Sequence, residues 1–232
     1  MPEISLLTRA ASCYERAGVP LDAVRCYRAA GNYRPAAQIW ENLGAFREAA
    51  RDYAAAGAHE VAAWIYAHHV GDIPAARAEL AAAEAAADAT PGRPGPAAGA
   101  ATPPTAATRA AQLRRRVIQA RCNAAENVAG TETLAILREV MQHLEQGREP
   151  LDLARVEERA VQVAEVMNRP DLVALLFAAA VRGGRYQAVE RWSAWSLRVL
   201  GVPLLLPEPG TDPAMVADAA DGRPAGSQAA RS

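Results

Sequence analysis

The chain has 232 residues, enough for one large or two small domains with a buried core. Its 25 basic residues are balanced by 26 acidic ones, so the net charge gives no reason to expect nucleic acid or an anionic membrane as partner. The Met1 end lacks a secretory pattern, and the longest apolar run, Leu172 to Val181, is too short to span a membrane. Three cysteines without metal-binding spacing fit a reducing compartment, so we expect a cytoplasmic protein.

A repeat of thirteen residues occupies the first third of the chain. Each copy has an aromatic residue with an alanine four positions before it; the aromatic positions are Tyr14, Tyr27, Trp40, Tyr53 and Tyr66. The small and apolar residues of each repeat fall on one face of an α-helix. A glycine follows each aromatic residue by four positions, or by five in the last repeat. Because glycine readily takes the left-handed conformation that ends a helix, each repeat is predicted to be one short helix and a tight turn.

Helices this short do not persist alone in water, so the repeat predicts that they stack on one another. Short connections make successive helices antiparallel, and the aromatic side chains fill the space between layers. Two repeats form a hairpin of 26 residues, and residues 6 to about 84 resemble the compact tetratricopeptide-like stacks of trafficking adaptors and bacterial multi-protein systems. That resemblance implies an α-solenoid whose general activity is scaffolding.

The turns between repeats carry the predicted contact residues. Tyr33 and Phe46 occupy equivalent positions, and Arg34 and Arg47 follow them. Aromatic and arginine side chains are enriched among the residues that dominate binding at protein interfaces. The alternative is that these aromatic side chains only staple adjacent turns together.

Asp52 and His69 interrupt the repeat pattern. Asp52 stands where other repeats have cysteine or isoleucine, and His69 where they have alanine or leucine. The two residues could line a polar groove that grips a ligand, or the helices could be offset so that both side chains reach water or each other. We favour the second reading and count both among the predicted partner contacts. His68 and His69 are adjacent on a helix and point about 100° apart, which prevents joint chelation, so no metal or cofactor is expected.

The composition divides the chain into two folded regions. Residues 90–108 contain almost no large apolar side chain and cannot bury enough surface to fold, and their prolines favour extended conformations. A similar composition returns after Gly210, where we expect disorder. The predicted organisation is a repeat stack over 1–88, a linker over 89–108, a helical bundle module over 109–207 and a disordered tail over 208–232.

The second folded region is also helical. The apolar pattern and the Gly and Pro breaks predict helices over 109–128, 132–146, 151–167, 171–182 and 186–201. The fourth is apolar nearly all round, which predicts that it forms the buried centre of a bundle. Trp192 and Trp195 are expected to be a core pair, with an exposed interface anchor as the alternative.

Four features of residues 114–207 carry a second resemblance. They are an Arg-Pro-Asp helix start, an alanine-rich buried helix, a tryptophan pair and a Leu-Gly-Val-x-Leu-x-Leu-Pro ending. This stretch resembles the C-terminal helical module of caspase/TPR-repeat-associated (CATRA-like) proteins of bacterial conflict systems. The resemblance implies an accessory component that works beside a protease-like or signalling effector encoded elsewhere, and such systems commonly pair this module with repeats.

The sequence contains no catalytic signature. It has no glycine-rich phosphate loop, no Gly-x-Ser-x-Gly and no His-Glu-x-x-His. Glu157 and Glu158 are predicted on a solvated helix face, and nothing in the sequence brings Cys122 and His143 together. The basic run at 114–116 is predicted on an exposed helix face, with a phosphate backbone or an acidic partner as alternatives.

The sequence therefore predicts a non-enzymatic, all-α interaction protein, in which thirteen-residue helical repeats form a short-repeat α-solenoid followed by a helical bundle. Its expected role is that of a scaffold or adaptor in a bacterial multi-protein conflict (defence) or signalling system, with proteins as partners. One alternative is a hydrolase-like or metal-dependent enzyme that uses a groove near Asp52 and His69. A second alternative is a nucleic-acid-sensing regulator. Partner identity and oligomeric state stay open.

Overall fold

The computed structural model describes residues 2–89, 106–126, 130–147 and 152–206, and all regular structure within them is helical, which confirms the all-α prediction. The first helices are α1 Pro2–Arg16, α2 Pro20–Ala29, α3 Tyr33–Asn42, α4 Phe46–Ala55, α5 His59–Ile65 and α6 Ile73–Asp88, and a π-helical turn, Tyr66–Val70, continues α5. The later helices are α7 Ala106–Ala125, α8 Gly130–Gln146, α9 Asp152–Val166, α10 Pro170–Arg182 and α11 Gln187–Leu200. In this described part of the chain, no helix combines the length and apolar character needed to cross a membrane. Most of the predicted linker and the predicted tail lie outside the described residues.

The turn after each repeat helix explains the period of thirteen. After α2, Gly31 has φ +74°, and its N–H donates to the carbonyl of Arg28 at 3.0 Å. The N–H of Asn32 donates to the carbonyl of Tyr27 at 2.8 Å, which completes a Schellman motif. Asn32 is also the N-cap of α3, so ten helical residues, a C-cap, a glycine and an N-cap make up one repeat. The same pair of hydrogen bonds closes α1, α3 and α4.

The polar contacts repeat every second helix. The Tyr27 hydroxyl donates to Glu15 of α1 at 3.0 Å, and the Tyr53 hydroxyl donates to Glu41 of α3 at 2.5 Å. Both bonds span 12 residues, and they lie 26 residues apart along the chain. Consecutive helices from α1 to α6 contact each other, and the alanines at the repeat position four residues before the aromatic residue are fully buried in α2 to α5. The tyrosine of one helix therefore contacts the preceding helix. The solenoid arrangement itself stays a prediction.

The π-helical turn accounts for the late glycine of the fifth repeat. Gly71 follows Tyr66 by five positions, one more than in the earlier repeats. A π-helical turn accommodates one extra residue inside an α-helix, and such insertions are frequent at functional sites. Gly71 still takes the left-handed conformation at φ +74°, as the earlier repeat glycines do. The extra residue brings His68 and His69 into this turn.

The contacts divide the chain into two compact units at a place that differs from the predicted boundaries. Helix α7 up to Leu113 belongs with α8 to α11, whereas α7 from Arg114 onward belongs with α1 to α6. We call these the C-terminal unit and the N-terminal unit. The second half of α7, which the prediction placed in the bundle over 109–207, therefore belongs to the same unit as the repeat region.

Glu60 of α5 holds α7 within the N-terminal unit. Its carboxylate accepts from Arg114 Nε at 2.8 Å and from Arg115 Nη1 at 3.1 Å. Cys122, further along α7, is fully buried in the core formed with α3 to α6. The prediction of an exposed basic face is thus wrong for Arg114 and Arg115, which are largely covered, because the acidic partner lies 54 and 55 residues earlier in the chain.

Helix α10 is the centre of the C-terminal unit, as predicted. It contacts α8, α9 and α11, and nine of its 13 residues are buried. Trp192 and Trp195 of α11 are 2% and 6% exposed and stack with ring centroids 5.4 Å apart. The prediction that the two tryptophans are a core pair is therefore confirmed.

Glu157 corrects the prediction of a solvated acidic face on α9. Its side chain has no exposed surface, whereas the adjacent Glu158 is exposed as predicted. The Glu157 carboxylate lies 2.6 Å from Arg185 Nη2 and 2.7 Å from Arg191 Nη1. Burial raises the pKa of Glu157, and the two guanidinium groups oppose that shift. The buried charge is possible because two arginines from beyond α10 neutralise it.

Candidate functional site

Phe46 and His69 form a stacked pair on the N-terminal unit. Phe46 is the first residue of α4, and His69 lies in the π-helical turn. Their ring centroids are 4.3 Å apart and their planes differ by 11°. Phe46 is half-buried and His69 is exposed. Burial of part of the imidazole lowers the pKa of His69 from 6.5, against an opposing effect of Glu41, so the ring is neutral above pH 7.

The stacked pair is the exposed end of a row of rings. The His68 ring meets His69 edge-on at 4.9 Å, and the Trp64 ring stacks on His68 at 5.0 Å. Trp64 is 7% exposed, so the row runs from the protein interior to the surface. We call Phe46, His69, His68 and Trp64 the ring row. Each ring restricts its neighbour, and the outer pair is therefore held in one orientation by packing.

Arg121 contacts the ring row at His68. Its Nε donates to Nδ1 of His68 at 3.4 Å, a long hydrogen bond. Arg121 is 8% exposed, and burial lowers the pKa of its guanidinium. A hydrogen bond from Arg121 requires a lone pair on Nδ1, so it selects the His68 tautomer that carries its proton on the other nitrogen. The second half of α7 thus fixes the orientation of a histidine in the π-helical turn.

Arg47, the neighbour of Phe46, is already paired. Its Nη1 lies 2.9 Å from Oδ2 of Asp72. Asp72 is also the N-cap of α6 and accepts from the N–H of Ala75 at 3.2 Å. The Arg47 guanidinium and this N–H hold the pKa of Asp72 below its ordinary value. Arg47 therefore ties the start of α4 to the start of α6 beside the ring row, and its exposed guanidinium keeps further donors available.

The side chain of Asp52 binds Arg28, which is not a member of the ring row. Its side chain is 6% exposed, and both carboxylate oxygens accept from Arg28 Nε at 2.9 Å, so the prediction that Asp52 reaches water or His69 is wrong. The Arg28 guanidinium also lies over the Trp40 ring, 5.5 Å from the centroid. The carboxylate that could have gripped a ligand is bound by an arginine of the chain itself. The pairing supports a structural role for Asp52.

Tyr33 and Arg34 occupy the same repeat positions as Phe46 and Arg47 but have different neighbours. Tyr33 is half-buried and Arg34 is exposed. The residue 23 positions after Phe46 is His69, whereas 23 positions after Tyr33 the chain has Ala56. An alanine methyl cannot stack on a ring, so Tyr33 lacks the counterpart that holds Phe46. The structure brings together Phe46, Arg47 and His69 and leaves Tyr33 and Arg34 outside that group.

Three members of this site were not predicted, and Trp64 carried a signal in the sequence. Its equivalents in the earlier repeats are all polar; they are Ser12, Arg25, Gln38 and Arg51. A tryptophan at a position that is otherwise solvated indicates that something covers it. His68, whose ring stacks on Trp64, and Arg121, which donates to His68, have no such signal; Arg121 is 53 residues from His68 in the chain.

The described residues offer little for metal or nucleophilic chemistry. No group of three or more His, Cys, Asp or Glu side chains among them is placed to hold a metal ion. His59 pairs with Glu79, Nδ1 to Oε2, at 2.8 Å. Burial raises the pKa of the Cys122 thiol, which disfavours the nucleophilic thiolate. Cys122 and His143 belong to different compact units.

The outer pair of the ring row, Phe46 and His69, is preorganised by packing, and the imidazole of the exposed His69 can form hydrogen bonds. Such a surface suits binding, since rings held by packing lose little freedom when a partner covers them. Comparison of the chain with protein-family models, with curated proteins and with solved structures finds no match.

Proposed function

We propose that this protein is a non-enzymatic interaction scaffold that works in the cytoplasm, as an accessory component of a bacterial multi-protein conflict or signalling system. The observation that carries the proposal is the exposed Phe46–His69 stack, fixed from behind by His68, Trp64 and Arg121. The resemblances to tetratricopeptide-like stacks and to the CATRA-like module supply the class of system. The short helical repeats are proposed to form an α-solenoid that presents this stack.

The proposed contact has a defined chemistry. The exposed His69 ring is stacked on Phe46 and carries nitrogens that can hydrogen-bond, and Arg47 adds guanidinium donors beside Phe46. A partner that fits would place an apolar or aromatic side chain on the rings and a hydrogen-bonding group at the imidazole. Aromatic anchors of this kind carry a large share of the binding free energy at protein interfaces.

The enzyme alternative gains no support from these contacts. Asp52 is engaged by Arg28, and His69 is engaged by Phe46, so each has its own partner. The nucleic-acid alternative rested on the basic run at 114–116, of which Arg114 and Arg115 are bound to Glu60. The scaffold proposal requires a partner to contact only the exposed His69 and Arg47 and the half-buried Phe46.

A capture experiment with matched variants tests the proposal. Wild-type protein, Phe46→Ala, His69→Ala and Tyr33→Ala are immobilised and exposed to an extract of the host organism, and retained proteins are quantified by mass spectrometry. We expect one set of proteins to be retained by the wild type and by Tyr33→Ala, and to fall about 30-fold with Phe46→Ala, as for a hot spot of about 2 kcal/mol.

Tyr33→Ala is the control because Tyr33 has the same repeat position and the same half-buried state as Phe46. All variants are first compared by circular dichroism, so that loss of capture is not loss of fold. Equal capture by Phe46→Ala and Tyr33→Ala would contradict a binding role for the ring row. Metal bound in stoichiometric amounts by purified protein would instead favour the enzyme alternative.

A further inference from the structure

Arg121 is a buried arginine that has no ion-pair partner in the described part of the chain. It lies in the half of α7 that belongs to the N-terminal unit and is 8% exposed. Arg114 and Arg115 of the same half are both bound by Glu60. Arg121 instead donates from Nε to Nδ1 of His68, and its Nη1 is buried without a hydrogen-bond partner.

The charge of Arg121 persists at physiological pH. Burial lowers the pKa of its guanidinium, but arginine stays protonated in proteins. Since Nδ1 of His68 accepts the hydrogen bond, that imidazole is neutral and supplies no negative charge. A buried charge is costly unless an opposite charge accompanies it. Arg121 is therefore placed to bind an anion.

The charged groups near Arg121 neutralise each other and not Arg121. Three of them act on the pKa of the adjacent Cys122 thiol: Arg77 and Arg121 lower it, and Glu126 raises it. Arg77 and Glu126 form an ion pair at 2.6 Å, so their charges cancel. Among these described groups, the positive charge of Arg121 is left over. Its surroundings attract an anion and repel a cation.

The donors of Arg121 select the shape of that anion. Nε is directed at His68, so the two Nη nitrogens at the end of the guanidinium are the donors that a ligand would meet. Two parallel N–H groups of a guanidinium match the two oxygens of a carboxylate. Because only 8% of Arg121 is exposed, the ligand group must be compact, as a carboxylate is.

We propose that Arg121 binds a carboxylate group through its two Nη nitrogens, beside His68. The carboxylate would neutralise the guanidinium and give the buried Nη1 an acceptor. The His68 ring contacts the ring of the exposed His69, so the site lies next to the proposed partner surface. The carboxylate belongs either to an Asp or Glu side chain of a protein partner or to a small carboxylic acid in solution. The site itself does not depend on the scaffold role.

Formate, the smallest carboxylate, tests the site on the purified full chain. A ligand of this size reaches a Kd of about 1 mM at best, so a titration to about 50 mM covers the binding range. Sodium chloride holds the ionic strength constant, and NMR of the histidine imidazoles follows the titration. We expect the signals of His68, assigned with His68→Gln, to shift and then saturate, because the bound charge lies next to its Nδ1 donor. Signals that stay in place, or shift without saturating, would overturn the proposal.

Two substitutions on α7 identify the guanidinium responsible. Arg121→Gln should abolish the saturable shift. Arg115→Gln is the matched control and should retain it, since the Arg115 side chain is 13% exposed but its guanidinium is already bound by Glu60. A shift that survives in Arg121→Gln, or is lost equally in both variants, would contradict a site at Arg121.

Thermal unfolding gives a second readout that compares anions within each protein. At about 50 times its Kd, formate multiplies the folded-to-unfolded ratio by about 50 and should raise the Tm by a few degrees over chloride at the same ionic strength. We expect this rise in the wild type and in Arg115→Gln but not in Arg121→Gln. Equal Tm values of the wild type in formate and in chloride would contradict the site even if Arg121→Gln failed to fold.

Capture of proteins from the host extract distinguishes the two sources of the carboxylate. If a partner supplies it, formate should lower retention by up to about 50-fold relative to chloride, because it competes for Arg121. Unchanged retention together with formate binding would assign the site to a small carboxylic acid. A wild type that captures no protein but binds formate would contradict only the scaffold proposal, and capture without formate binding would contradict only the carboxylate site.

Discussion

Two adjacent glycines at the end of α10 should respond very differently to the same substitution. A Cβ atom on Gly183 would lie 1.9 Å from the carbonyl oxygen of Leu144 and 3.0 Å from its carbonyl carbon. Ordinary carbon–oxygen contacts are about 3.3 Å, so α8 and α10 would have to separate locally by about 1.4 Å. Overpacking against movable side chains costs about 1–3 kcal/mol. Because the opposing atom here is backbone that moves only with α8, we expect Gly183→Ala to cost about 3 kcal/mol or more of unfolding free energy.

Gly184→Ala is the matched control. Gly184 has φ +87°, and a Cβ atom there would meet nothing within 4 Å. Its substitution should cost only the left-handed backbone conformation, about 1–2 kcal/mol. Guanidinium denaturation of the full chain, followed by helical circular dichroism and tryptophan fluorescence, measures both losses. A cost for Gly183→Ala no larger than that for Gly184→Ala would refute the close approach of α8 and α10.

Two further changes test the charged groups. Glu157→Ala should lower the free energy of unfolding by about 3 kcal/mol in guanidinium denaturation. This is the lower end for breaking a buried ion pair, because the side chains of Arg185 and Arg191 are partly exposed to water. A loss of under about 1 kcal/mol would contradict a buried ion pair at Glu157. Because the pKa of His69 is lowered, the folded state binds fewer protons than the unfolded state just below pH 6.5. The contribution of neutral His69 to the free energy of unfolding is therefore complete above pH 6.5 and is lost as the pH falls below it. The guanidinium midpoint of His69→Gln should therefore fall less than that of the wild type between pH 7.5 and 5.5; equal falls would count against the shift.

The repeat helices were predictable because their determinants are local. Each glycine needs only its own backbone conformation to end a helix, and the alanine and aromatic positions recur at fixed distances from it. The buried position of Asp52 was not predicted, because we expected an offset of the helices to bring its side chain to water or to His69. The partner of Asp52 did not follow, because Arg28 lies 24 residues earlier and is one of several exposed arginines that the sequence cannot distinguish.

The predictions that were wrong concern charged residues whose partners are distant in the chain. Glu157 was expected in water, yet Arg185 and Arg191, 28 and 34 residues later, converge on it from beyond α10. Arg115 was expected on an exposed face, yet it donates a hydrogen bond to Glu60, which lies 55 residues earlier in the chain. Helical periodicity marks which face is apolar, but it cannot show that a charged face meets a complementary one. The ring row was hidden for the same reason, since Arg121 reaches it from another helix.

The most direct test of the scaffold proposal is photo-crosslinking in living cells of the host. The photoreactive amino acid p-benzoylphenylalanine replaces Phe46 in one strain and Tyr33, its equivalent in the preceding repeat, in another. We predict that irradiation links a defined protein to position 46 and yields much less of that product at position 33. No product at position 46, or the same product in equal yield at both positions, would contradict the claim that the ring row is where this protein holds its partner.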